Sequence, residues 1–187
     1  MTEAVTEAAQ IIREGGTILY PTDTIWGIGC DATDPLAVEK IYRIKRRLDR
    51  KSMLVLMDET ARLHHYLYRV PKGIEELIRG ADKPTTIIYP GSRNFAENLP
   101  SEDGSIGIRM TTDPFCLALI RITGKPIVST SANISGELPP KTFRDITDEI
   151  LHGVDHVVPW RQEEATPAAP STILQMDEEG RITVIRP

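Results

Sequence analysis

Helix-like and strand-like segments interleave along this chain without strict alternation, and the last two strand-like segments follow each other directly. Residues 171–176 and 181–186 are both rich in apolar and β-branched residues, and a short turn containing Gly180 separates them. Two strands joined by so short a turn pair antiparallel, whereas strands separated by a helix can pair in parallel. The sequence therefore predicts an α/β fold with a twisted, mixed β-sheet flanked by helices.

Caps, glycines and prolines indicate where the other elements begin and end. Asp34-Pro35 and Asp113-Pro114 each supply a helix N-cap followed by a proline at the first helical position. Gly15-Gly16 ends the first amphipathic helix. We predict helices over residues 3–14, 59–68, 72–79 and 142–151 and from Asp34 and Asp113, and strands over residues 17–20, 52–57, 85–89, 105–110, 126–129 and 154–160.

The composition is that of a globular protein with one hydrophobic core. A length of 187 residues supports one substantial domain, so we expect residues 1–187 to form a single unit. The net charge of −5 argues against a protein coated in basic surface, but it allows a local basic cleft. Cys30 and Cys116 lie in apolar contexts and are expected to be buried thiols. No signal-peptide pattern or membrane-length apolar run is visible, so we expect a cytoplasmic protein.

Two segments are candidates for the walls of a binding cleft. Residues 127–136 run from a β-branched strand into a group of neutral hydroxyl and amide side chains that suits an anion site, or that forms an ordinary turn. Residues 45–51 contain five basic side chains, which suit a polyphosphate or a solvated helix end. We predict that the two segments meet across one cleft; their polar residues are Ser129, Thr130, Ser131 and Asn133, and Lys45, Arg46, Arg47, Arg50 and Lys51.

Other features leave two interpretations open. Thr22 and Thr24 suit a binding role or a hydroxyl-capped turn, and Arg109 either pairs on the surface or points into the cleft. Residues 91–104 lack a clear period and form either a mobile flap or a long surface loop. Adjacent histidines at 64 and 65 cannot share a helical face, so no protein-bound metal is expected. No glycine-rich nucleotide motif of the Rossmann or Walker A type is present.

A set of short motifs, in a fixed order, resembles the YrdC/YciO/YwlC family. The set covers nearly the whole chain and is highly specific for that family, which implies a YrdC-like fold with a central, concave, basic cleft in its minimal single-domain form. The matching stretches are residues 15–24 (Gly-Gly to Tyr-Pro-Thr-Asp-Thr), 26–30, Lys45-x-Arg47, Pro84-x-Thr86, Gly107-Ile108-Arg109, 129–136 (Ser-Thr-Ser-Ala-Asn-x-Ser-Gly) and Pro170-Ser171-Thr172.

The resemblance implies a nucleotidyltransferase of the L-threonylcarbamoyladenylate synthase type. Such enzymes condense L-threonine, bicarbonate and ATP, which carries Mg²⁺, into threonylcarbamoyl-AMP and pyrophosphate, and downstream proteins transfer the threonylcarbamoyl group to tRNA. The synthase signature, Lys-x-Arg with Ser-x-Asn, matches Lys45, Arg47, Ser131 and Asn133 as the catalytic residues. By the same resemblance, L-threonine is held by Thr24, Arg109 and Ser171, and the nucleotide by Lys45, Arg47, Lys51, Ser129 and Arg186.

The chain also departs from the family pattern, at Leu48, Lys83 and Thr111. These departures concern loop geometry and substrate preference more than the core chemistry. Three alternatives remain: a divergent YciO-like protein without synthase activity, a protein that binds tRNA or double-stranded RNA through the basic run, and a carbamoyl-transfer or sugar-phosphate enzyme on the same scaffold. The third is disfavoured because the sequence shows no paired carboxylates or metal-ligand cluster. The pair Ser131 and Asn133 favours adenylate formation, because RNA binding alone does not require it.

Overall fold

The structure is a computed structural model that describes residues 1–47, 53–166 and 169–187. Within these ranges, nine strands form one sheet. They are β1 (Ile18–Tyr20), β2 (Gly27–Gly29), β3 (Leu54–Met57), β4 (Thr85–Tyr89), β5 (Ile106–Met110), β6 (Ile127–Ser131), β7 (His156–Val157), β8 (Thr172–Met176) and β9 (Ile182–Arg186).

The sheet is mixed, with the strand order β7-β1-β2-β6-β3-β5-β4-β8-β9. The pairs β1–β7, β3–β5 and β4–β8 are parallel, and the other five neighbouring pairs are antiparallel. The last pair, β8–β9, is the antiparallel hairpin that the sequence predicts. The predicted fold class, a mixed sheet flanked by helices, is therefore confirmed.

Six α-helices accompany the sheet in the described part of the chain. Asp34 and Asp113 cap two of them as predicted, because their carboxylates accept backbone N–H groups of the first helical turn. The helices are α1 (Thr2–Arg13), α2 (Pro35–Ile44), α3 (Leu63–Tyr66), α4 (Ile74–Arg79), α5 (Pro114–Thr123) and α6 (Asp148–Gly153), with 3₁₀ turns at Thr60–Arg62 and Phe143–Asp145.

The two faces of the sheet pack against different helices. In β1, Ile18 and Tyr20 contact the apolar residues of α1 and α5, whereas Leu19 points to the core around α2, α3 and α4. This alternation is the two-residue period of a strand buried on both faces. The apolar residues of the strands thus divide between two cores, one on each face of the sheet.

The layer formed by α1 and α5 covers only part of its face. The strand residues in the core around α1 and α5 come from β1, β3 and β6, and none of the described ones comes from β4, β5, β8 or β9. On the opposite face, Ile87 of β4, Ile108 of β5 and Met176 of β8 are all buried in the other core. The far half of one sheet face is therefore left open, and it forms the floor of a cleft.

Two predicted helices are broken in the structure. The helix predicted over 142–151 divides because a capping box between Thr142 and Asp145 closes a 3₁₀ turn, after which Ile146 is extended and α6 begins at Asp148. The helix predicted over 59–68 is a 3₁₀ turn and the short α3, because Leu67 leaves the helix to form a β-bridge with Ser92. Both predictions of one continuous helix were therefore wrong.

The strand predictions were wrong in three places. β2 was not predicted, because Gly27-Ile28-Gly29 has few side chains that favour a strand. β6 continues to Ser131, so the hydroxyl residues that were expected in a loop lie on a strand. The strand predicted over 154–160 is limited to the two residues of β7, and Pro159 beyond it has no backbone N–H to pair.

None of the helices in the described ranges combines the length and apolar character that a membrane crossing requires. Cys30 and Cys116 are buried free thiols, as expected.

Candidate active-site cleft

A cleft of about 520 Å³ lies over the open half of the sheet. Gly107 of β5 lies at its floor, where an added Cβ would be 3.3 Å from the Thr86 methyl of β4 and 3.7 Å from the Leu54 Cβ of β3. The polar lining residues are Thr24, Arg47, Thr86, Ser101, Ser105, Arg109, Ser129, Thr130, Ser131, Ser171, Gln175 and Arg186, and the apolar ones include Ile25, Trp26, Met53, Leu54, Pro139 and Ile173.

The pairing of β6 with β2 positions the two cleft serines. Ser129 and Ser131 share one face of β6 because they are two residues apart, and both line the cleft. Gly27 pairs with Ser131, and a Cβ on Gly27 would be 3.1 Å from the Ser129 hydroxyl. The glycine in β2 therefore leaves the space that the Ser129 side chain occupies.

Lys45 links the end of α2 to the segment that follows β6. Its ammonium donates hydrogen bonds to the carbonyl oxygen of Ser131 and, at 2.7 Å, to that of Asn133. Burial lowers the pKa of Lys45 to about 8, and the positive charge of Arg47 adds to this effect. Lys45 is only 3% exposed and is not among the lining residues, so in this conformation it braces the wall from behind.

Asn133 is also buried behind the cleft wall. Its side-chain N–H₂ donates to the carbonyl oxygens of Ile134 and Glu137, each at 2.9 Å, and this closes the turn after β6. Its side-chain oxygen is buried without a hydrogen-bond partner among the described residues. The structure thus joins the Lys-x-Arg and Ser-x-Asn segments at one place, as predicted for the two cleft walls, while the catalytic roles of Lys45 and Asn133 stay predictions.

The basic run after α2 divides into residues with different surroundings. Arg47 lines the cleft, whereas Arg46 points away and pairs with Glu149 at 2.6 Å on the surface. Lys51, predicted to bind the nucleotide, lies outside the described residues, as does the family departure at Leu48. The described part of the run therefore offers one arginine to the cleft.

Arg109 lies in the cleft lining and is held by an acid. Its Nη2 donates to Asp23 Oδ1 at 2.9 Å, and the Arg109 side chain is 2% exposed. Its Nε is buried without a partner among the described residues. Burial raises the pKa of the Asp23 carboxyl, and the charge of Arg109 opposes that rise. Of the two interpretations of Arg109, the structure supports the one in which it faces the cleft.

The other residues expected to bind L-threonine come from different elements. The hydroxyls of Thr22 and Thr24 share a hydrogen bond of 3.0 Å, as in a hydroxyl-capped turn. Thr24 also lines the cleft, so the structure is compatible with both interpretations of these threonines. The Ser171 hydroxyl is 2.8 Å from that of Thr86. Arg186 of β9 donates from Nε and Nη2 to the Ser171 carbonyl oxygen, at 3.0 and 2.7 Å. Thr24, Arg109 and Ser171 therefore all line the same cleft.

The lining is positively charged in its described residues. It contains Arg47, Arg109 and Arg186 and no aspartate or glutamate. No group of three or more potential metal-ligand side chains occurs in the part of the chain that the structure describes. Together with five serine hydroxyls and three threonine hydroxyls, this lining suits an anionic ligand such as a phosphate or a carboxylate.

Several lining residues were missed in the sequence. Trp26 packs against Phe143, with ring centroids 4.8 Å apart, and presents an apolar wall. Ser101 and Ser105 come from the 91–104 segment and its end, which carried no periodic signal. Gln175 shares the cleft face of β8 with Ile173, whereas Leu174 and Met176 pack into the opposite core. The residues of β8 do not alternate between apolar and polar in sequence, so no local pattern indicated this orientation.

The segment 91–104 is attached to the body of the protein at several points. The Ala96 N–H donates to the Ala32 carbonyl at 2.9 Å, and the Asn98 amide donates to the Pro35 carbonyl at 3.0 Å. Ala96 and Leu99 are buried in the core around α2. Of the two interpretations of this segment, these contacts support an anchored surface loop.

Fold and site together define an α/β protein with an arginine-lined cleft whose chemistry suits anionic ligands. The family model Sua5_yciO_yrdC, described as telomere recombination, matches residues 10–187. The chain belongs to the Sua5/YciO/YrdC family, as the sequence motifs predict.

Curated relatives of the chain are named threonylcarbamoyl-AMP synthase. The protein from Methylobacillus flagellatus is 34% identical over 163 residues, which cover 87% of this chain and 89% of the relative. The protein from Acinetobacter baumannii is 32% identical over 152 residues, covering 78% and 80% respectively.

Solved structures confirm the fold. Escherichia coli YciO superimposes with a TM-score of 0.81 at 23% identity, covering all of this chain and 89% of YciO. Sua5 of P. abyssi complexed with L-threonine gives 0.85 at 24% identity. The match covers 98% of this chain, which spans about half of that Sua5 chain, at 53%.

Proposed function

We propose that the protein is an L-threonylcarbamoyladenylate synthase, a nucleotidyltransferase that converts L-threonine, bicarbonate and ATP into threonylcarbamoyl-AMP and pyrophosphate. The names of the curated relatives support this activity. The structural observation that best supports this activity is the composition of the cleft, which is lined by Arg47, Arg109 and Arg186 together with neutral hydroxyl groups. The reactants are a polyphosphate and two carboxylate-type anions, and such a lining complements them.

The reaction needs charge neutralisation and alignment more than a protein nucleophile. The threonine amine adds to bicarbonate, and loss of water gives a carbamate. A carbamate oxygen then attacks the α-phosphorus of ATP, and the bond to the bridging oxygen breaks as pyrophosphate leaves. Because charge moves onto the leaving group, fixed cationic donors stabilise the transition state, and correct positioning contributes much of the remaining acceleration.

L-Threonine is assigned to the side of the cleft where Arg109, Thr24 and Ser171 meet. Asp23 accepts a hydrogen bond from Nη2 of Arg109. The buried Nε of Arg109 has no hydrogen-bond acceptor among the described residues. A substrate carboxylate that accepts from the remaining donors would complete a bidentate pair. The threonine hydroxyl and amine are assigned to the neighbouring hydroxyl groups of Thr24 and Ser171.

The nucleotide is assigned to Arg47 and Ser129, and to Arg186, which reaches the cleft beside Ser171. Ser131 orients the reacting carbamate and phosphate in this arrangement. Lys45 and Asn133 hold the backbone that carries Ser131 through the hydrogen bonds described above. Two of the three N–H donors of Lys45 serve that purpose, and a direct contact of Lys45 with a phosphate oxygen would require its side chain to turn from this buried position into the cleft.

Magnesium is proposed to enter as the counter-ion of ATP. The described lining offers hydroxyl oxygens but no carboxylate, so it does not resemble a protein-held Mg²⁺ site. When bound with ATP, the ion would neutralise phosphate charge. The product is proposed to pass to tRNA threonylcarbamoyl-transfer proteins in the cytoplasm.

The RNA-binding alternative relies on the basic run. A phosphate backbone is best served by several exposed cations in a row. Among the described residues of the run, Lys45 is buried and Arg46 is paired with Glu149, so this part of the run favours a role of Arg47 in a small-molecule cleft over a continuous RNA surface. A divergent YciO-like protein is distinguished by the experiment below.

The deciding experiment measures pyrophosphate release from ATP with and without bicarbonate and L-threonine, and with L-serine as the comparison. We expect release that requires bicarbonate and L-threonine together. ATP binding without threonine-dependent release would contradict the synthase and favour a divergent relative with another substrate.

Neighbouring arginines supply a matched test of the cleft. We expect Arg47→Gln to lower threonine-dependent turnover by about a hundredfold, because it removes a phosphate-facing cation. Arg46→Gln removes an arginine that pairs with Glu149 outside the cleft and should retain turnover within about twofold. Equal losses in both variants would contradict the assignment.

A further inference from the structure

Arg161 lies in the loop after β7 and has an unusual backbone. Its φ is +62°, in the left-handed region that costs a residue with a side chain about 1 kcal/mol or more. Its side chain is 29% exposed and makes three contacts. The guanidinium Nη1 donates to Asp113 Oδ2 at 2.8 Å and to the Thr22 carbonyl oxygen at 3.3 Å, and Nε donates to Glu164 at 2.7 Å.

Asp113 connects this arginine to the end of β5 and the start of α5. Its other oxygen, Oδ1, accepts the Cys116 N–H as the cap of α5, and its backbone N–H donates to the Thr111 hydroxyl. The Asp113 side chain is only 7% exposed. A carboxylate so deeply buried requires a cationic partner, and Arg161 is that partner.

The same arginine also holds the loop that carries Asp23. Its contact with the Thr22 carbonyl lies one residue before Asp23, and the Cys116 thiol of α5 lies 3.6 Å from the Pro21 carbonyl. Asp23 in turn binds Arg109 in the cleft. Two ion pairs therefore lie side by side, Arg161 with Asp113 and Asp23 with Arg109, and the loop of residues 21–24 lies between them.

We propose that Arg161 is a positioning residue for Arg109: by pairing with Asp113 and holding the Thr22 carbonyl, it fixes the loop from which Asp23 orients the Arg109 guanidinium toward a substrate carboxylate. These contacts exist independently of any reaction. The nature of the carboxylate, that of an α-amino acid, rests on the proposed function.

Electrostatics strengthens this coupling. The Asp113 charge acts on Asp23 and raises its pKa, so an unpaired Asp113 would weaken the ionised Asp23 that Arg109 requires. The positive charge of Arg161, paired with Asp113, offsets the negative charge of Asp113 that acts on Asp23. The titratable and charged groups around Asp23 in the described residues are Arg109, Asp113, Tyr20 and Cys116.

The test uses Arg161→Gln in the full chain. We expect the KM for L-threonine to rise about tenfold, the size of one weakened charge-assisted hydrogen bond, while kcat and the KM for ATP stay within about twofold. In the free protein, NMR of the Arg109 side chain should show faster rotation and hydrogen exchange of its Nη groups, because Asp23 no longer holds Nη2.

Two further variants separate positioning from general stability. Arg161→Gly retains the left-handed backbone without strain and removes the side chain, so it should raise the threonine KM as Arg161→Gln does. Arg144→Gln, which breaks an exposed pair with Glu163 in the same region, should change neither readout.

Several outcomes overturn the proposal. They are an unchanged threonine KM with unchanged Arg109 resonances in both Arg161 variants, or equal losses in kcat and both KM values together with a lower Tm. If the wild-type protein shows no threonine-dependent turnover, the proposed function fails, and the Arg109 resonances alone then decide whether Arg161 positions Arg109.

Discussion

Lys45 shows how one residue joins two segments that are far apart in sequence. Its ammonium lies between the end of α2 and the carbonyl oxygens after β6, and burial lowers its pKa to about 8. The hydrogen bonds compensate in part for the loss of water around a charged amine. Lys45 therefore links the two parts of the cleft wall, and its ammonium loses its proton at a lower pH than that of an ordinary lysine.

Stability should depend on pH through Lys45. The folded pKa, about 8, is below the reference value of 10.5, so between these values the unfolded chain binds more protons and stability rises with pH. Below pH 8 the cost of the buried charge is present in full. Urea unfolding on both sides of pH 8 should show this rise in the wild type and a flatter dependence in Lys45→Met. Parallel profiles would contradict the assignment.

Ser131 should act on turnover more than on binding. We expect Ser131→Ala to lower kcat by about tenfold to a hundredfold, because it removes a donor directed at the reacting groups, with little change in the Kd for ATP. Steady-state kinetics and calorimetry measure the two quantities. Ser92→Ala, which removes a hydroxyl bonded to the Gly104 carbonyl away from the cleft, is the control. An affinity loss as large as the rate loss would exclude an orienting role.

At the scale of elements, β2 is a strand whose glycines allow close packing. It pairs with β1 on one side and with β6 on the other. A Cβ on Gly29 would be 2.6 Å from the Val128 carbonyl oxygen and 2.7 Å from the Tyr20 ring. The glycine therefore allows the backbones and the buried tyrosine to approach within van der Waals contact.

Gly29→Ala should lower the free energy of unfolding by about 1–3 kcal/mol, because rigid backbone and ring atoms must move apart. Gly107→Ala is the comparison: its nearest contact is the Thr86 methyl at 3.3 Å, so a smaller loss is expected. Urea unfolding of both variants measures the difference. A larger loss for Gly107→Ala would show that the β2 packing is not the limiting contact.

At the scale of the molecule, an acidic protein presents a cationic cleft. The net charge is −5, yet the described lining carries three arginines and no acid. This separation follows from the incomplete cover of the sheet by α1 and α5, which leaves the arginine-bearing strands β5 and β9 facing open space. A local field of this kind attracts anionic ligands even though the molecule as a whole repels them.

Salt should therefore weaken ATP binding more than L-threonine binding. In the proposed arrangement the phosphates would meet Arg47 and Arg186, which are partly exposed and are screened by ions, whereas Arg109 is buried beside Asp23 and is screened less. Calorimetric titrations at low and high salt, with each ligand separately, measure the two dependences. Equal dependences would indicate that both ligands meet the same exposed charge.

Much of the fold was encoded locally and was predictable. The Asp-Pro helix starts, the glycine helix ends, the final hairpin and the mixed sheet all follow from signals within a few neighbouring residues. Local signals also identified the two segments that meet at the cleft.

Local signals failed where a stretch can form either one continuous helix or a capped turn. In residues 142–151 a capping box ends the first turn, and the predicted helix is interrupted there.

The sequence by itself determined the class of fold, the family and the segments that carry the site, because each is written in local patterns and ordered motifs. Only the tertiary structure decided that Ser129 and Ser131 lie on a strand beside Gly27, that Lys45 is turned toward carbonyl oxygens, and that Arg161 contacts both Asp113 and the Thr22 carbonyl oxygen of the Asp23 loop. These contacts join residues tens of positions apart. Strand pairing and helix packing fix these contacts, and both depend on residues that are distant in the sequence.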